Sequence, residues 1–297
     1  MSSSTIHISV LLKETIDALS PKDGDVFLDA TLGGGGHTEA LLRAADVRVI
    51  AFDADPQAIE RSEVKLAEFK DRVTYVRSNF RHLDKELKAL GVEQVSGALF
   101  DLGLSSDELE QSGRGFSFQK DEPLHMGFDP KQSLTALDLI AHLNIEQLTN
   151  IIKVYGDEHN AYRIAKGIVA KRELAPITTT LQLRETIEAS VPRAYAKGRV
   201  HPATRTFQAL RIAVNDEYDA LKEGLGSGWN VLKKDGTLAV ISFHSGEDRI
   251  VKIFMKEKEM EEAAERIFKK PLTASEDELK ANPRARSAKL RVARKLI

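Results

Sequence analysis

Four consecutive glycines stand where a predicted strand meets a predicted helix, in DATLGGGGHTEALLRA at residues 29–44. Glycine lets a chain turn sharply and lets a ligand approach the main chain closely. At a helix start, exposed N–H groups and the positive end of the helix favour a negatively charged ligand group. The run therefore predicts a cofactor-binding turn with His37 at the helix entry, but glycine alone does not identify the cofactor.

Short apolar runs alternate with amphipathic segments over the first third of the chain. Runs of apolar and β-branched residues predict buried strands at 26–31, 47–55, 73–79 and 97–103. Segments of helical spacing lie between them, and Pro56 falls in the first turn of one, a position that proline tolerates. This alternation predicts an α/β fold with a doubly wound, parallel, Rossmann-like sheet.

The alternation stops after residue 103. The apolar residues then keep helical spacing up to a buried strand predicted at 236–245. We therefore expect a discontinuous α/β domain, residues 1–108 and 205–297, interrupted by an all-helical domain at 109–204. Ser245 and Asp248 have the spacing of a capping box, which predicts that a helix starts directly after the last strand.

The charge is unevenly distributed. The formal net charge is −2, yet ten basic residues stand against three acidic ones between 163 and 211, and the C-terminal RARSAKLRVARK is basic throughout. Such patches are the expected footprint of a polyanion such as RNA. A solvated helix face and a charged tail would give the same pattern.

Composition excludes several classes of site. The chain has no cysteine, so disulfides, thiolate metal sites and iron–sulfur clusters are excluded, and we expect no metal. No apolar run approaches the length of a membrane span, and the N-terminal residues lack the pattern of a secretory signal. We therefore expect a cytoplasmic protein with no membrane partner.

Two acidic residues follow predicted strands on either side of the glycine run. Asp53 lies about 20 residues past the glycines, where such folds place a carboxylate for ribose hydroxyls. Asp101 ends the fourth strand, at the edge where open α/β sheets bind ligands. Together they favour a nucleoside cofactor. The spacing of Gly33, Gly35 and Thr38 does not complete the G-x-G-x-x-G dinucleotide pattern, which favours S-adenosylmethionine but leaves NAD open.

Several long blocks resemble one family nearly from end to end and in order. They are HISVLLKE, DATLGGGGHT, FDADPQAI, DLGLSS, RGFSF, YGDEHNAYRIAKGIV, HPATRTFQALRIAVN, ISFHSGEDRIVK and NPRARSAKLRVARK. These blocks closely resemble the ribosomal small-subunit methyltransferase H family, also called MraW. The match is far more specific than a glycine loop.

The resemblance implies an enzyme that methylates N4 of a cytidine in the decoding centre of small-subunit rRNA, using S-adenosylmethionine. It also implies that the helical insert recognises the substrate, which is small-subunit rRNA or the small ribosomal subunit, and it allows a homodimer. The cofactor-binding positions that it implies are Gly34, Gly35, Gly36, His37, Asp53, Phe80, Asp101 and Glu108. Phe80 equally suits an apolar anchor at a helix start.

The sequence departs from the family pattern at two places. The family usually has glutamine where this chain has Glu108, and glutamate loses the amide donor. The family's PLDMRMD is PLHMGFD here, with His125 and Gly127 in place of an aspartate and an arginine. If that aspartate and that arginine normally pair with each other, this chain lacks both partners. Losing both costs less stability than leaving one of them unpaired.

The lack of cysteine also limits the methylation chemistry. Methylation of cytosine at carbon 5 normally uses a cysteine nucleophile, and radical methylation needs a cysteine-bound cluster. Direct transfer to nitrogen or oxygen remains. We expect Asp101, with Ser105 and Ser106, to accept hydrogen bonds from the amine, and we assign Arg205 and Asn215 to the active site.

Two alternatives from other classes remain. One is a non-catalytic RNA-binding or ribosome-assembly factor that keeps the cofactor pocket, for which Glu108, His125 and Gly127 are the best support. The other is an NAD-dependent oxidoreductase. Transfer of labelled methyl to ribosomal subunits separates the enzyme from the factor, and cofactor binding separates the two cofactor classes.

Overall fold

The computed structural model describes residues 9–104, 109, 112–198 and 200–297. The chain divides into two compact units. The first unit is Met1–Ser105 with Tyr218–Ile297, and the second is Ser106–Glu217. The second unit extends beyond the predicted boundary at residue 205, because the helix Ala203–Asn215 packs against the helix Ile145–Gly156 within it. Helical spacing alone does not indicate which core such a helix joins.

The first unit is built on a seven-stranded sheet in the order β3-β2-β1-β4-β5-β7-β6. The strands are β1 (Val26–Asp29), β2 (Arg48–Asp53), β3 (Val73–Arg77), β4 (Val95–Asp101), β5 (Leu232–Ser242), β6 (Ala264–Arg266) and β7 (Lys289–Lys295). The first five pair in parallel, whereas β7 is antiparallel to β5 and β6. This sheet, parallel over its first five strands, confirms the predicted α/β fold with a Rossmann-like sheet.

The described helices are numbered along the chain. They are α1 (Leu12–Leu19), α2 (Gly36–Ala44), α3 (Pro56–Lys65), α4 (Leu83–Ala89), α5 (Ala136–His142), α6 (Ile145–Gly156), α7 (Ala161–Leu174), α8 (Thr180–Ser190), α9 (Arg193–Ala196), α10 (Ala203–Asn215), α11 (Glu217–Val231), α12 (Ser245–Met260) and α13 (Glu276–Ala281). Pro56 is the first residue of α3, as predicted.

Both faces of the sheet are covered by helices. Successive strand residues point to opposite sides, so Leu28, Phe52 and Phe100 pack with Trp229 on one side. Residues of the same strands, such as Phe27, pack in a second buried cluster on the other side. Burial of both faces explains why the strands appear as continuous apolar runs in the sequence.

The N-cap of helix α12 lies one residue before Ser245, the residue predicted to cap it. His244 is the N-cap, and its partner in the capping box is Glu247 rather than Asp248. Glu247 accepts a hydrogen bond from the backbone N–H of Phe243 at 2.8 Å. Asp248 instead pairs with Arg291 on β7 at 2.7 Å. The predicted Ser245–Asp248 box is therefore wrong, because Asp248 is taken by a strand distant in the sequence.

The described part of the second unit is helical from Ala136 onward, whereas residues 112–135 form no helix. Helices α5, α6 and α8 begin with capping boxes led by Thr135, Asn144 and Thr179, which satisfy free N–H groups at the helix starts. The apolar faces of α6, α7 and α8 bury Leu148, Ile152, Ile164, Ile168, Leu183 and Ile187. Across both units, no described helix is long and apolar enough to cross a membrane.

Lys295 at the end of β7 caps helix α11. Its ammonium donates to the backbone carbonyls of Trp229 at 3.2 Å, Asn230 at 3.3 Å and Leu232 at 2.8 Å. The carbonyls at the end of a helix lack partners within it and favour a positive charge. The last strand is thereby tied to the end of α11.

We predict that Lys295→Met lowers the free energy of unfolding by about 1–2 kcal/mol, because three carbonyls lose a charged donor. The matched control is Arg294→Met, since Arg294 is its neighbour on the strand and makes an exposed ion pair with Glu265 at 3.6 Å. We expect this control to stay within about 0.5 kcal/mol. Chemical denaturation measures both, and equal effects would contradict the capping role.

Candidate functional site

The glycine run forms the turn between β1 and α2. Gly33 and Gly35 have φ values of 51° and 69°, a backbone region in which glycine is favoured because it has no Cβ. The turn is fixed to the next strand: the N–H of Leu32 donates to the Phe52 carbonyl and that of Gly33 to Asp53 Oδ2, both at 2.8 Å. The predicted turn is therefore held rigidly at the carboxyl edge of the sheet.

Helix α3 braces the same turn from outside. The Ser62 hydroxyl donates to the Gly33 carbonyl at 3.0 Å, and the Lys65 ammonium donates to the Gly34 carbonyl at 3.2 Å. A Cβ added at Gly35 would lie 3.1 Å from Ser62 Oγ, and one added at Gly36 only 2.0 Å from Ser9 Oγ. The glycines thus serve both the backbone conformation and close packing.

Asp53 ends β2 and organises the chain around it. One carboxylate oxygen accepts from the N–H of Gly33 and the other from the N–H of Asp55, both at 2.8 Å. A carboxylate has about four acceptor positions, and hydroxyl groups such as those of a ribose are suitable donors to it. The structure thus gives Asp53 a structural role and leaves it suited to the predicted one.

Asp101 ends β4 with its carboxyl group largely enclosed. The side chain is 20% exposed, and its Oδ1 is buried with no hydrogen-bond partner in the described part of the chain. Burial, followed by the charges of Asp29 and Glu247, raises the pKa of Asp101 to about 8, although the N–H of Gly103 opposes the rise. A positive ligand group beside Asp101 would favour its ionised form.

Asp29 lies at the end of β1 and was not singled out from the sequence. It is buried and accepts hydrogen bonds from the Thr38 hydroxyl at 2.7 Å and from the N–H of Thr31 at 3.1 Å. Burial raises the pKa of Asp29 to about 6, and those two hydrogen bonds oppose the rise. The Thr31 hydroxyl also accepts from the N–H of Asp101 at 2.6 Å, so Thr31 connects the Asp29 carboxylate to the backbone of Asp101.

His37 is the second residue of α2 and is only 5% exposed. Its Nε2 lies 3.2 Å from the Val10 carbonyl, and its Nδ1 lies 3.6 Å from Asp101 Oδ2. The sequence placed His37 at the helix entry. The structure adds that the ring packs between the N-terminal segment and the acid of β4.

Phe80 begins the short helix Phe80–His82 after β3. Its ring meets that of Phe100 edge to face, with centroids 5.7 Å apart. A Cβ at Gly224 would lie 2.6 Å from the Phe80 ring, so that glycine makes room for it. These contacts give Phe80 the anchoring role that the sequence left open, while contact with a cofactor stays a prediction.

The edge as a whole suits some ligands better than others. Asp53 can accept hydroxyl donors, and Asp101, flanked by Asp29 and Glu247, favours a cation. S-adenosylmethionine carries a ribose and a positively charged amine, so these residues fit it. A pyrophosphate would place negative charge beside buried carboxylates, which disfavours the NAD alternative.

The remaining predicted residues either lie outside the described residues or belong to helix α10. Ser105, Ser106 and Glu108 lie outside the described residues. Arg205 and Asn215 belong to α10 in the second unit, where Arg205 donates to the Asp157 carbonyl at 2.8 Å.

The side-chain amide of Asn215 makes hydrogen bonds to backbone groups of the second unit. Its Nδ2 donates to the carbonyls of Met126 and Arg211, at 2.8 and 2.9 Å, and its Oδ1 accepts from the N–H of Phe128 at 2.8 Å. Both amide hydrogens are therefore used. These bonds hold the loop that contains the unusual PLHMGFD sequence.

The two departures in that loop are structurally coupled. His125 Nδ1 accepts from the N–H of Gly127 at 3.0 Å, and a Cβ at Gly127 would lie 2.7 Å from the His125 ring. The buried guanidinium of Arg114 donates to the carbonyls of Gly127 and Phe128. Burial, and then Arg114, lowers the pKa of His125, while Asp129 and Asp138 oppose this change. The loop is thus well held without the family's aspartate and arginine.

We predict that Gly35→Ala weakens binding of S-adenosylhomocysteine by at least about tenfold, because the strained turn must shift against Ser62 and Leu66. Gly24→Ala is the matched control, since Gly24 also has a positive φ of 83° but has open space around it. Both variants should lose about 1 kcal/mol of stability. Calorimetry measures the affinities, and equal binding by the two variants would contradict the role of the turn.

Comparison with known proteins shows which family the chain belongs to. Residues 4–296 match the MraW methylase family. The chain is 46% identical over 292 residues to the ribosomal RNA small subunit methyltransferase H of Sulfurihydrogenibium sp., covering 98% of this chain and 99% of that protein. The protein of the same name from Sorangium cellulosum is 47% identical over 290 residues, covering 98% and 91%. The chain therefore belongs to the MraW methylase family.

Proposed function

We propose that this chain transfers a methyl group from S-adenosylmethionine to N4 of a cytidine in the decoding centre of small-subunit rRNA. The observation that carries the proposal is the acid-lined glycine turn, in a chain whose relatives are named ribosomal RNA small subunit methyltransferase H at 46–47% identity. The cytidine and its N4 atom rest on the sequence resemblance. A ribosomal substrate implies that the enzyme works in the cytoplasm.

The cofactor is held, in this proposal, by the edge of the sheet in the first unit. Gly34, Gly35 and Gly36, with the N–H of His37, provide the backbone wall, and Asp53 accepts from the ribose hydroxyls. Asp101 faces the positive amine, while Phe80 and Glu108 are retained from the resemblance. When bound, S-adenosylmethionine supplies an electrophilic methyl group on a sulfonium.

Asp101 also has the chemistry to assist the accepting amine. The lone pair of N4 is delocalised into the cytosine ring, so the amine is a poor nucleophile. A carboxylate that accepts one of its N–H groups draws the lone pair out of conjugation, and the same oxygen can later take the proton. The Oδ1 of Asp101, which has no hydrogen-bond partner among the described residues, offers such an acceptor. Ser105 remains a predicted second acceptor.

We propose that the second unit recognises the RNA. On α7 the exposed residues Tyr162, Arg163 and Lys166 lie opposite the buried Ile164 and Ile168. Tyr162 is 60% exposed, and an aromatic ring among positive charges suits an unpaired base and its phosphates. Because N4 is inaccessible in a paired stack, the target base must be extruded.

Arg205 and Asn215 are proposed to position this unit rather than to touch the reacting atoms. The hydrogen bonds of Asn215 to the Met126 and Phe128 backbone support this role, as does the bond of Arg205 to the Asp157 carbonyl.

The direct test is transfer of labelled methyl to small ribosomal subunits from cells that lack this protein. We expect one labelled nucleoside, identified by mass spectrometry as N4-methylcytidine. Binding of subunits without methyl transfer would favour the non-catalytic assembly factor instead.

Asp101→Asn should lower turnover at saturating cofactor by about 10²-fold, because the acceptor loses its charge. Asp219→Asn is the matched control, since Asp219 is exposed on α11 and pairs with Lys222 at 2.7 Å. Turnover equal to wild type in Asp101→Asn would remove Asp101 from the mechanism. Its affinity for S-adenosylhomocysteine, measured separately, distinguishes a role toward the cofactor from a role toward the base.

A further inference from the structure

The orientation of the His37 ring is fixed by the N-terminal segment. Its Nε2 lies 3.2 Å from the carbonyl of Val10, and a carbonyl oxygen only accepts hydrogen bonds. The Nε2 atom therefore bears a proton. The segment is anchored in turn, since the N–H of Leu11 donates to Glu278 Oε1 at 2.6 Å.

The other ring nitrogen faces the acid of β4. Nδ1 lies 3.6 Å from Asp101 Oδ2, which is too long for a hydrogen bond but within the range of an ion pair. With Nε2 protonated, Nδ1 is the atom of His37 that can gain or lose a proton. A movement of about half an ångström would bring it into hydrogen-bond range, and such contacts commonly tighten when a ligand binds.

The surroundings of this pair are acidic. Asp101 is faced by Asp29 from β1, by Glu247 from α12 and by His37 from α2. Asp29 and Glu247 oppose a negative charge on Asp101, and the pKa of Asp101 is raised to about 8. At neutral pH the ligand-free carboxyl therefore holds a proton that a cationic amine would displace.

We propose that His37 and Asp101 share one proton, which moves from Asp101 to His37 Nδ1 when a cationic amine binds to the Asp101 carboxylate. The inference rests on the proposed cofactor site. The transfer is balanced, because the proton leaves Asp101 Oδ2, forms a bond to Nδ1 and does not enter solvent. His37 is thus a positioning residue, acting through Asp101, that lets a cation bind without release of a proton.

Calorimetry with S-adenosylhomocysteine, in two buffers of different ionisation enthalpy, counts the protons released on binding. At pH 7 wild type should release fewer than about 0.2 protons. His37→Gln keeps a donor for the Val10 carbonyl but has no basic nitrogen, so it should release about 0.9 protons, as expected for a carboxyl group of pKa about 8. Its affinity should also rise roughly tenfold between pH 6 and pH 7, whereas that of wild type stays nearly flat.

His142→Asn is the control, because His142 is exposed on α5, and it should behave as wild type. Equal proton counts in wild type and His37→Gln, with binding retained, would overturn the shared proton alone. Loss of S-adenosylhomocysteine binding in wild type would overturn the cofactor site as well.

Nitrogen NMR of the unsubstituted protein tests the same point without a variant and decides the case if His37→Gln does not fold. In the complex, His37 Nδ1 should give the chemical shift of a protonated nitrogen. A shift typical of a bare nitrogen would overturn the proposal.

Discussion

Burial of acidic side chains at one edge of the sheet is the constraint on which the site depends. Asp29 and Asp101 end neighbouring strands, and Glu247 lies in the first turn of the helix after β5. An enclosed carboxylate is costly unless hydrogen bonds or opposite charge compensate it. Threonines compensate Asp29 in part, whereas one oxygen of Asp101 has no hydrogen-bond partner in the part of the chain that the structure describes. The edge therefore favours a ligand that brings positive charge and disfavours one that brings phosphate.

The glycine turn restricts which ligands can bind beside these acidic side chains. Because Gly33 is bonded to Asp53 and braced by Ser62, the main chain beside the acids is held in one conformation. A backbone surface that is already rigid loses little conformational entropy when a ligand binds. A ligand with an amino acid at one end and a sugar at the other thus meets a preformed surface.

Much of this architecture could be predicted from the sequence, because it follows from local patterns. Local signals in the sequence mark the strands β1 to β5, which are apolar runs, and the glycine turn. They also mark Pro56 at a helix start and Asp53 at a strand end. The acidic surroundings of Asp101 could not be predicted, since Asp29 and Glu247 are brought to it by the tertiary fold. For the same reason the sequence misplaced the cap of α12 by one residue and ended the helical insert too early.

A crystal structure with S-adenosylhomocysteine bound tests most directly whether the buried acids define the binding site. We expect its amine within hydrogen-bond distance of the Asp101 carboxylate and its ribose hydroxyls on Asp53, with residues 33–36 alongside the amino-acid end. A ligand bound at another place, or one whose amine points away from Asp101, would contradict the claim that buried negative charge defines this site.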